Sequence, residues 1–539
     1  MICEFFRSGP ASHSRWVFRT IRLALISAAI AAGLPLLTPA ASGQKTPISP
    51  PPGFGQVPQG TGACSVEKSC ADLAPLLIRS ATGPSPLEES LRTLTDSIGG
   101  RVTGSPAAGR AVARAVEALR RAGVDEVHTE NFTVAAGWSE GQTRLEVLSP
   151  APFPVRLVSG GWSPPTPASG ITTDIVDIGA GDEASFAQAG AAVKRAILLV
   201  HSTPLVTWGD LDREYGVQPA IIERARNAGA AAIFWMSPRP SLLLYRHTVT
   251  SNGRIEALPQ ALVAREDAER IARFLAAGQK VRVHFEMPNR VSGPVESENV
   301  VGEIHGRDKP DEFVLLGAHL DSWDLGTGAL DNGCNAALVI DAARVIHASG
   351  NIPRRSIRFV LFTGEEQGEL GSRAYAHAHR AELDRMVAAI IYDSGVGRVT
   401  GYSLGGRKDL LVGAREALEP LKSLGPMEFT FDAIGDTDDL DFVLEGVPTR
   451  VANQDVANYM LNYHAASVTL DKVDIHELKR SEAISAVTAY ALADAAVRIG
   501  HRQTRAEVEQ LLKDSGLKET LKSEGAWTEW EKGERGRQP

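Results

Sequence analysis

The chain has 539 residues, which is more than one ordinary domain holds, so we expect two domains with flexible ends. A hydrophobic content of 43% and a charged content of 22% are typical of a globular protein. The formal net charge of -9, without a basic stripe along the chain, argues against a protein that binds nucleic acid.

The first 43 residues have the pattern of an export signal. Arginines precede an apolar stretch from Leu23 to Leu37, and small residues follow at 40–43, as a cleavage site requires. The stretch is too short for a transmembrane helix, and Gly33 and Pro35 interrupt it. We therefore predict a cleaved signal peptide (1–43), a secreted or periplasmic protein and no stable membrane span after cleavage. An uncleaved anchor is the alternative.

Residues 44–80 are predicted to be a flexible leader, because the first part is rich in Pro and Gly and has no periodicity. Cys64 and Cys70 lie six positions apart in this leader, and an oxidising compartment would favour a local disulfide between them. Cys334 lies at the start of a predicted helix, where we expect a buried free thiol.

A catalytic domain is predicted from two separate stretches, 81–154 and 291–502. In the first, an amphipathic pattern predicts a helix over Ala107–Ala122, which Gly123 ends. Alternating apolar residues then predict a strand.

A second domain, 155–290, is predicted to be inserted into the first. A Pro-rich junction near Gly160 marks the change in sequence composition. Behind it, short β-like runs such as Ile171–Ile178 alternate with helices, one of which is expected to end in the run 227–236. We expect this insert to serve packing, gating or substrate docking.

The central element of the catalytic domain is the apolar run Phe313–Leu316. It lacks polar alternation, which predicts a buried strand of a parallel sheet. Open α/β sheets bind ligands beyond the carboxyl ends of their strands. The loop after this strand holds four candidate metal ligands, His319, Asp321, Asp324 and Asp331. A helix is then predicted over Ala336–Ile346, with Asp331 and Asn332 as residues of the N-cap type at its start.

Three further strand patterns and one long helix pattern follow. The predicted elements are strands at Ser356–Thr363, Val387–Tyr392 and Gly446–Asn453 and a helix at Ser481–Ile499. The repeated order of strand and helix predicts an α/β fold whose mostly parallel sheet carries helices on both faces. Residues 503–539 form a charged, helix-prone tail, which we expect to be a solvated helix or disordered.

Acidic residues also follow two of the later strands. Glu365 and Glu366 come after the strand at 356–363, and Asp393 comes after the next one. Neighbouring strands lie about 5 Å apart, so these carboxylates and His319 are expected to converge at one edge of the sheet. Imidazole nitrogen and carboxylate oxygen together suit zinc. A pair of zinc ions lowers the pKa of a bridging water and stabilises a developing oxyanion, so we predict a two-metal site.

Each of these residues also has an ordinary structural explanation. His319 and Asp321 would be polar residues of a loop. Glu365 and Glu366 would complement the dipole of a helix, and Asp393 would form a turn. The metal site is favoured because the alternative needs several unrelated coincidences at strand ends.

The chain resembles the co-catalytic zinc exopeptidases, the group that holds bacterial leucyl aminopeptidases and glutamate carboxypeptidases. The motifs that carry the resemblance are HLDS, DNG, GEEQG, a lone Asp after the next strand and a distant His. The longer strings GAHLDSWDLGTGALDNG and TGEEQGELG are most similar to the glutamate carboxypeptidase branch. The similarity runs from about Leu87 to Ile499, and 155–290 resembles the protease-associated domain of such enzymes.

The resemblance implies a site for two zinc ions per subunit. The implied ligands are His319 and Asp393 for one ion, Glu366 and His464 for the other, and Asp331 as the bridge. Glu365 takes the position of the general base. Asp321 is implied to orient the His319 ring by accepting its other N–H.

His464 is the ligand that the residues alone support least, because YHAAS has no distinctive pattern and a lone His is more often structural or exposed. Members of the family usually carry an Asp-Thr pair downstream of this His. Here Val468 and Thr469 occupy those positions, so the support of the His464 ring departs from the family pattern.

The acidic segment GDTDDLDF, 435–442, lies between the third and fourth strands of the predicted sheet. We expect it to form a loop over the cleft, where Asp436, Asp438 or Asp439 would meet a substrate amine. A solvated acidic turn is the equally weighted alternative.

The function that these observations predict is an exported zinc exopeptidase that hydrolyses dipeptides or short peptides through a metal-bound hydroxide. An aminopeptidase that releases N-terminal residues is the nearest alternative, because the metal core is common to both. A non-catalytic binding protein on the same fold and an amidase or deacylase are further alternatives. The family resemblance also makes a homodimer an expectation.

Overall fold

The computed structural model describes residues 70–523 and 525–538. The predicted signal peptide, the leader up to residue 69 and the predicted Cys64–Cys70 disulfide lie outside the described residues. The prediction for the end of the leader is wrong, because Cys70–Thr82 is a helix. Leu73 and Leu77 are completely buried, and their spacing of four places both on one helix face, where they join the main core. No helix within the described residues has the length and apolar character to cross a membrane.

The strands of the described chain belong to two large sheets and one small ribbon. In chain order they are β1 (Glu126–Val134), β2 (Trp138–Ser139), β3 (Arg144–Ser149), β4 (Phe153–Val155), β5 (Leu157–Ser159), β6 (Ile171–Asp177), β7 (Ile197–Val200), β8 (Ala232–Met236), β9 (Gln260–Val263), β10 (Arg282–Glu286), β11 (Arg290–Val291), β12 (Val295–Ile304), β13 (Lys309–His319), β14 (Arg355–Phe362), β15 (Met386–Ile391), β16 (Val399–Ser403), β17 (Glu428–Thr430) and β18 (Thr449–Gln454).

The helices cover the faces of the two large sheets or pack at the end of the chain. In chain order they are α1 (Cys70–Thr82), α2 (Leu87–Arg92), α3 (Pro106–Ala122), α4 (Glu183–Ala189), α5 (Trp208–Ala228), α6 (Arg265–Ala276), α7 (Cys334–Ala348), α8 (Leu370–Ala378), α9 (Leu411–Ala417), α10 (Leu440–Leu444), α11 (Tyr459–Asn462), α12 (Ile475–Asp494), α13 (Arg505–Asp514), α14 (Leu517–Ser523) and α15 (Ala526–Lys532).

The main sheet has the strand order β1-β12-β14-β13-β15-β18-β16-β17. Its centre, from β14 to β18, is parallel, whereas β1 and β12 at one edge and the β16–β18 pair are antiparallel. Alternate side chains of β13 enter opposite cores, with Val314 and Leu316 on one face and Phe313 and Leu315 on the other. Helices α3, α7 and α12 cover the first face, and α8 and α10 cover the second. The predicted α/β fold with helices on both faces is thus confirmed.

The second large sheet has the order β4-β3-β10-β6-β7-β8-β9-β5 and, with α4 to α6, makes up what we call the second region (residues 144–286). It begins with β3, so its first strands come before the start that we predicted for the insert. Its strands have their own apolar cores on both faces.

The prediction that a helix ends in the run 227–236 is wrong. Helix α5 ends at Ala228, and Gly229 follows it in the left-handed conformation with φ 74°. The apolar run Ala232–Met236 is strand β8, which pairs in parallel with β7 and β9. Pairing with two neighbouring strands satisfies the backbone of this short run.

The tail is not a solvated or disordered segment in the part that the structure describes. Trp527 and Trp530 are 8% and 2% exposed and pack with Leu440 and Leu444 of α10. The Arg535 guanidinium donates two hydrogen bonds to the Asp441 carboxylate, at 2.7 and 2.9 Å. The two tryptophans therefore fix the tail helices to α10, which covers one face of the main sheet.

Candidate metal centre

The candidate site forms where the carboxyl ends of three parallel strands meet. β13 ends at His319, Glu365 and Glu366 follow β14, and Asp393 follows β15. Because β13 pairs in parallel with both of its neighbours, these strand ends reach the same edge of the sheet. His464 joins them from the loop that follows α11.

Asp331 lies between two histidines. Its Oδ1 is 3.3 Å from His319 Nε2, and its Oδ2 is 3.2 Å from His464 Nε2. On the outer sides, Asp393 Oδ1 lies 3.0 Å from His319 Nε2, and Glu366 Oε2 lies 2.9 Å from His464 Nε2. The arrangement offers two sets of nitrogen and oxygen donors that share the Asp331 carboxylate.

The residues at the start of α7 do not cap the helix as we predicted. Gly333 occupies the N-cap, and no side chain makes a capping hydrogen bond. Asp331 instead has an extended backbone with φ -130° and ψ 93°, which turns its carboxylate to the histidines. The Asn332 side chain donates to the Tyr392 carbonyl at 2.9 Å, a contact that holds this turn against β15. The Cys334 thiol is buried, as predicted, and burial raises its pKa to about 12.

The donor set fits a cation of the zinc type. Asp331 Oδ2 and Glu366 Oε2 are buried, and neither makes a properly directed hydrogen bond within the described part of the chain. Burial, with the nearby Asp331 charge, raises the pKa of Glu366 to about 7, and burial raises the pKa of Asp393 as well. Two imidazoles with three carboxylates, all without thiolate, are ligands that zinc accepts.

The carboxylates give the site a negative electrostatic potential. Burial alone would lower the pKa of His464, but the charges of Glu366 and Asp331 raise it to about 9. Burial opposes the charged form of His319 too, and Asp393 and Glu365 raise its pKa well above the usual range. Neighbours that raise the pKa of a buried imidazole in this way also stabilise a metal cation.

Glu365 lies beside the candidate metal ligands and lines a cavity that opens next to them. Its Oε2 is 3.8 Å from His319 Nε2, and its side chain is 12% exposed, more than that of His319 or Asp331. Burial, together with the charges of Asp393 and Glu366, raises the pKa of Glu365 well above its usual range. A carboxylate with a raised pKa at the edge of a metal site is suited to accept a proton.

Asp321 contacts His319 through its backbone as well as its side chain. His319 Nδ1 is 3.1 Å from the Asp321 carbonyl oxygen and 3.5 Å from Asp321 Oδ1. The Thr103 hydroxyl donates to Asp321 Oδ2 at 2.7 Å. The geometry therefore places the carbonyl, more than the predicted carboxylate, in position to accept the second ring N–H of His319.

Thr437 is a residue of the site that the sequence analysis missed. Its hydroxyl donates to Asp393 Oδ2 at 2.5 Å, which leaves Asp393 Oδ1 turned to His319. Thr437 stands within the acidic segment GDTDDLDF, and no periodicity distinguishes it from its neighbours.

The rest of that acidic segment divides into an open and a buried part. Asp436 lines the cavity, whereas Asp438 and Asp439 are completely buried. Burial raises the pKa of Asp438 to about 8. Of the three candidates for a substrate amine, only Asp436 faces the cavity.

Arg101 holds the loop between His319 and Asp331 in place. It was not predicted from the sequence. Its guanidinium is completely buried and donates to the carbonyl oxygens of Leu320 at 2.7 Å, Thr327 at 2.9 Å and Gly328 at 2.9 Å. One side chain thus satisfies three carbonyls of the loop that carries the donors.

Replacing Arg101 by methionine is expected to lower the free energy of unfolding by about 3 kcal/mol, since three buried carbonyls lose their donor. A urea titration followed by circular dichroism measures this change. Arg110→Met, on the exposed face of α3, is the matched control and should change stability by no more than about 0.5 kcal/mol. Equal stability of the two variants would contradict a role of Arg101 in holding the loop.

A cavity of about 280 Å³ opens beside the donors and is bounded by both sheet regions. The main sheet contributes Glu365, Glu366 and His464, and the second region contributes Tyr215 and His247 among others. A packing, gating or substrate-docking role was expected for this part of the chain, but no local pattern points to these residues.

Comparisons with known proteins agree with this architecture. A model of Peptidase family M28 matches residues 299–489. Carboxypeptidase Q from Mus musculus is 30% identical over 409 residues, 75% of this chain and 85% of that protein. The solved peptidase M28 precursor from Shewanella amazonensis SB2B is 29% identical with a TM-score of 0.74, covering 80% of this chain and 99% of that one. A zinc aminopeptidase from Bacillus subtilis shares the fold, at 21% identity and a TM-score of 0.60 over 77% and 98% of the two chains.

Proposed function

The chain belongs to peptidase family M28, and from that premise we propose that it binds two zinc ions between His319 and His464 and cleaves dipeptides. It is a zinc-dependent exopeptidase, a hydrolase that acts on peptides. The proposed ligands are His319 and Asp393 for one ion, Glu366 and His464 for the other, and Asp331 for both.

The observation that carries the proposal is the position of Asp331. Each of its carboxylate oxygens faces a different histidine, at 3.3 and 3.2 Å, and each histidine has a further carboxylate within 3.0 Å. A carboxylate shared between the two histidines in this way would hold one ion on each side, as a two-metal site requires. A structural salt-bridge network would not require two histidines at opposite ends of one buried acid.

The chemistry divides between the metals and Glu365. When bound, the zinc ions would polarise the scissile carbonyl and lower the pKa of water. Glu365 takes the proton from the attacking water and passes it to the leaving amine, and its place beside the cavity supports both transfers. Asp321 and Thr437 keep His319 and Asp393 oriented for the metal.

The size of the cavity favours short substrates. Its volume of about 280 Å³ lies below the usual range for larger ligands, and the second region closes one side of it. This supports a dipeptidase of the carboxypeptidase Q type.

An aminopeptidase is the second candidate, and the charge of the cavity favours it. Glu223, Glu256 and Asp436 line the cavity, where Arg226 lies 4.0 Å from Glu256 and offsets only part of that charge. A negative cavity would attract the cationic amine of a substrate more strongly than its carboxylate.

Hydrolysis of free, N-acetylated and C-amidated dipeptides is expected to separate the candidates. A dipeptidase should cut only the free form, and an aminopeptidase should cut the peptide bond of the free and amidated forms. An amidase or deacylase should instead release ammonia from the amidated form or acetate from the acetylated form. A zinc chelator should abolish cleavage and added zinc should restore it, with amino-acid release measured by chromatography. A zinc-loaded protein that cut none of these substrates would be a binding protein on the same fold.

The remaining proposals concern the setting of the enzyme. We expect export through the signal peptide 1–43, as the pattern of the first 43 residues indicates, and a homodimer in solution, as the family resemblance implies. The division into a catalytic domain, 81–154 and 291–502, and an insert, 155–290, stays a prediction. Mass spectrometry of the mature N-terminus and light scattering would test export and assembly.

A further inference from the structure

A segment of the second region, 239–247, runs along the loop that carries His464. The Arg246 N–H donates to the His464 carbonyl at 3.0 Å, and the Ala466 N–H donates to the Leu244 carbonyl at 2.9 Å. A short antiparallel bridge lies between these two hydrogen bonds. The backbone of the loop is therefore paired with the second region on both sides of the histidine.

Arg239 adds a side-chain contact to the same loop. It is 1% exposed, and its Nη2 and Nε donate to the Tyr463 carbonyl at 2.8 and 3.3 Å. Its guanidinium also lies over the rings of Tyr245 and Tyr463, 5.1 and 5.8 Å from their centres. A desolvated guanidinium with two bonds to one carbonyl fixes the position of that carbonyl.

Arg246 anchors the segment to the rest of the site. Its Nε lies 2.9 Å from Asp324 in the loop after β13, and its Nη1 donates to the Ser159 carbonyl at 2.9 Å. A further Nη2 contact reaches Glu140. The segment is thus fixed at once to the second region and to the loop that follows His319.

His464 depends on such external contacts because its own are incomplete. Its backbone φ is 55°, in the left-handed region that residues other than Gly rarely adopt. Its Nδ1 makes no hydrogen bond within the described residues. The His464 ring is instead stacked on two other rings. Its centre lies 3.7 Å from the ring centre of Tyr463 and 5.9 Å from that of His247 in the second region.

We infer that the segment 239–247 positions His464, with Arg239 as its main contact, so that the second region takes part in binding the ion on the His464 side. This inference rests on the proposed function, since it requires His464 to be a ligand. The second region thereby has a role in metal binding besides closing the cavity. Arg239 is a positioning residue, because it acts on the metal only through the loop.

The test uses the full-length protein dialysed against buffered zinc, with zinc per chain measured by mass spectrometry. Arg239→Met should lower the affinity for one of two ions about 10- to 100-fold, the usual effect of losing a contact behind a ligand. Arg239→Lys, which keeps the charge and one donor, should lie between this variant and the wild type. In a His464→Ala background, Arg239→Met should lower the affinity no further, because the ligand that it positions is gone.

Arg355→Met is the matched control. Arg355 is equally buried and donates to the carbonyls of Ala493 and Ala495, but it stands at the opposite end of β14 from the site. This variant should lose stability and still bind two ions with wild-type affinity. The comparison separates a positioning role from general destabilisation.

Failure of the proposed function and failure of the inference would give different results. A wild-type protein that binds no zinc would overturn the proposed function. If Arg239→Met binds two ions with unchanged affinity, only the inference is overturned. If Arg239→Met fails to fold, unchanged affinity of Arg239→Lys for both ions would overturn the inference instead. Additional loss of zinc on top of His464→Ala would equally overturn it.

Discussion

Replacing Glu365 by glutamine is expected to lower kcat by about 10²- to 10⁴-fold while both zinc ions stay bound. Glutamine has nearly the size of glutamate but cannot accept a proton, and the Glu365 carboxylate faces the cavity, 3.8 Å from His319 Nε2. Because the change removes a proton carrier and leaves every proposed ligand, KM should change little. Steady-state kinetics on a free dipeptide, combined with zinc per chain, measure both effects.

Glu369→Gln is the control for this prediction. Glu369 lines the same cavity, but one of its carboxylate oxygens lies 3.9 Å from the Arg535 guanidinium, and it is not among the proposed metal ligands. This variant should keep most of the wild-type kcat. A Glu365→Gln enzyme with full activity would remove Glu365 from the role of general base.

Replacing Asp331 by asparagine is expected to reduce bound zinc from two ions to fewer than one per chain. Asparagine preserves the shape but is neutral, so both proposed ion positions lose the carboxylate that they share. Each ion would then have only one imidazole and one carboxylate from the proposed set. The loss of metal should lower kcat/KM on a dipeptide on the order of 10³-fold or more, since metal stabilises the transition state by several kcal/mol.

Asp341→Asn provides the comparison. Asp341 lies on α7 and is buried, as Asp331 is. Its carboxylate pairs with Arg344 at 2.6 Å and does not contact His319 or His464. It should lose stability and retain two zinc ions. If Asp331→Asn also kept two ions at wild-type affinity, the bridging role of Asp331 would be wrong.

The main elements of the catalytic sheet were predictable because each has a local pattern. The helix expected over Ala107–Ala122 is observed as Pro106–Ala122, with the Ser105 hydroxyl capping its start. The run Phe313–Leu316 is the buried half of β13, as its lack of polar residues indicated. Such patterns show whether one face or both faces of a helix or strand are buried. They can therefore be recognised without knowledge of the elements that pack against it.

Two of the wrong predictions have a common cause. The run Ala232–Met236 reads as the end of a helix when its neighbours are unknown, and it becomes a strand because β7 and β9 flank it. Similarly, Trp527 and Trp530 sit in a charged segment, and the apolar surface of α10 buries them. In both cases a partner far away in sequence decides the state of the segment.

The chain's sequence by itself determined which strand ends carry His319, Glu365, Glu366 and Asp393, because carboxylates and imidazole after apolar runs are a local signal. Only the tertiary structure decided how these side chains face one another and which residues hold them. Arg101, Thr437 and Arg239 act on loops more than forty positions away, and the direction of their hydrogen bonds depends on the packing of those loops. Residue order encodes the type of a donor, whereas the angle at which it meets a metal results from contacts that no local pattern contains.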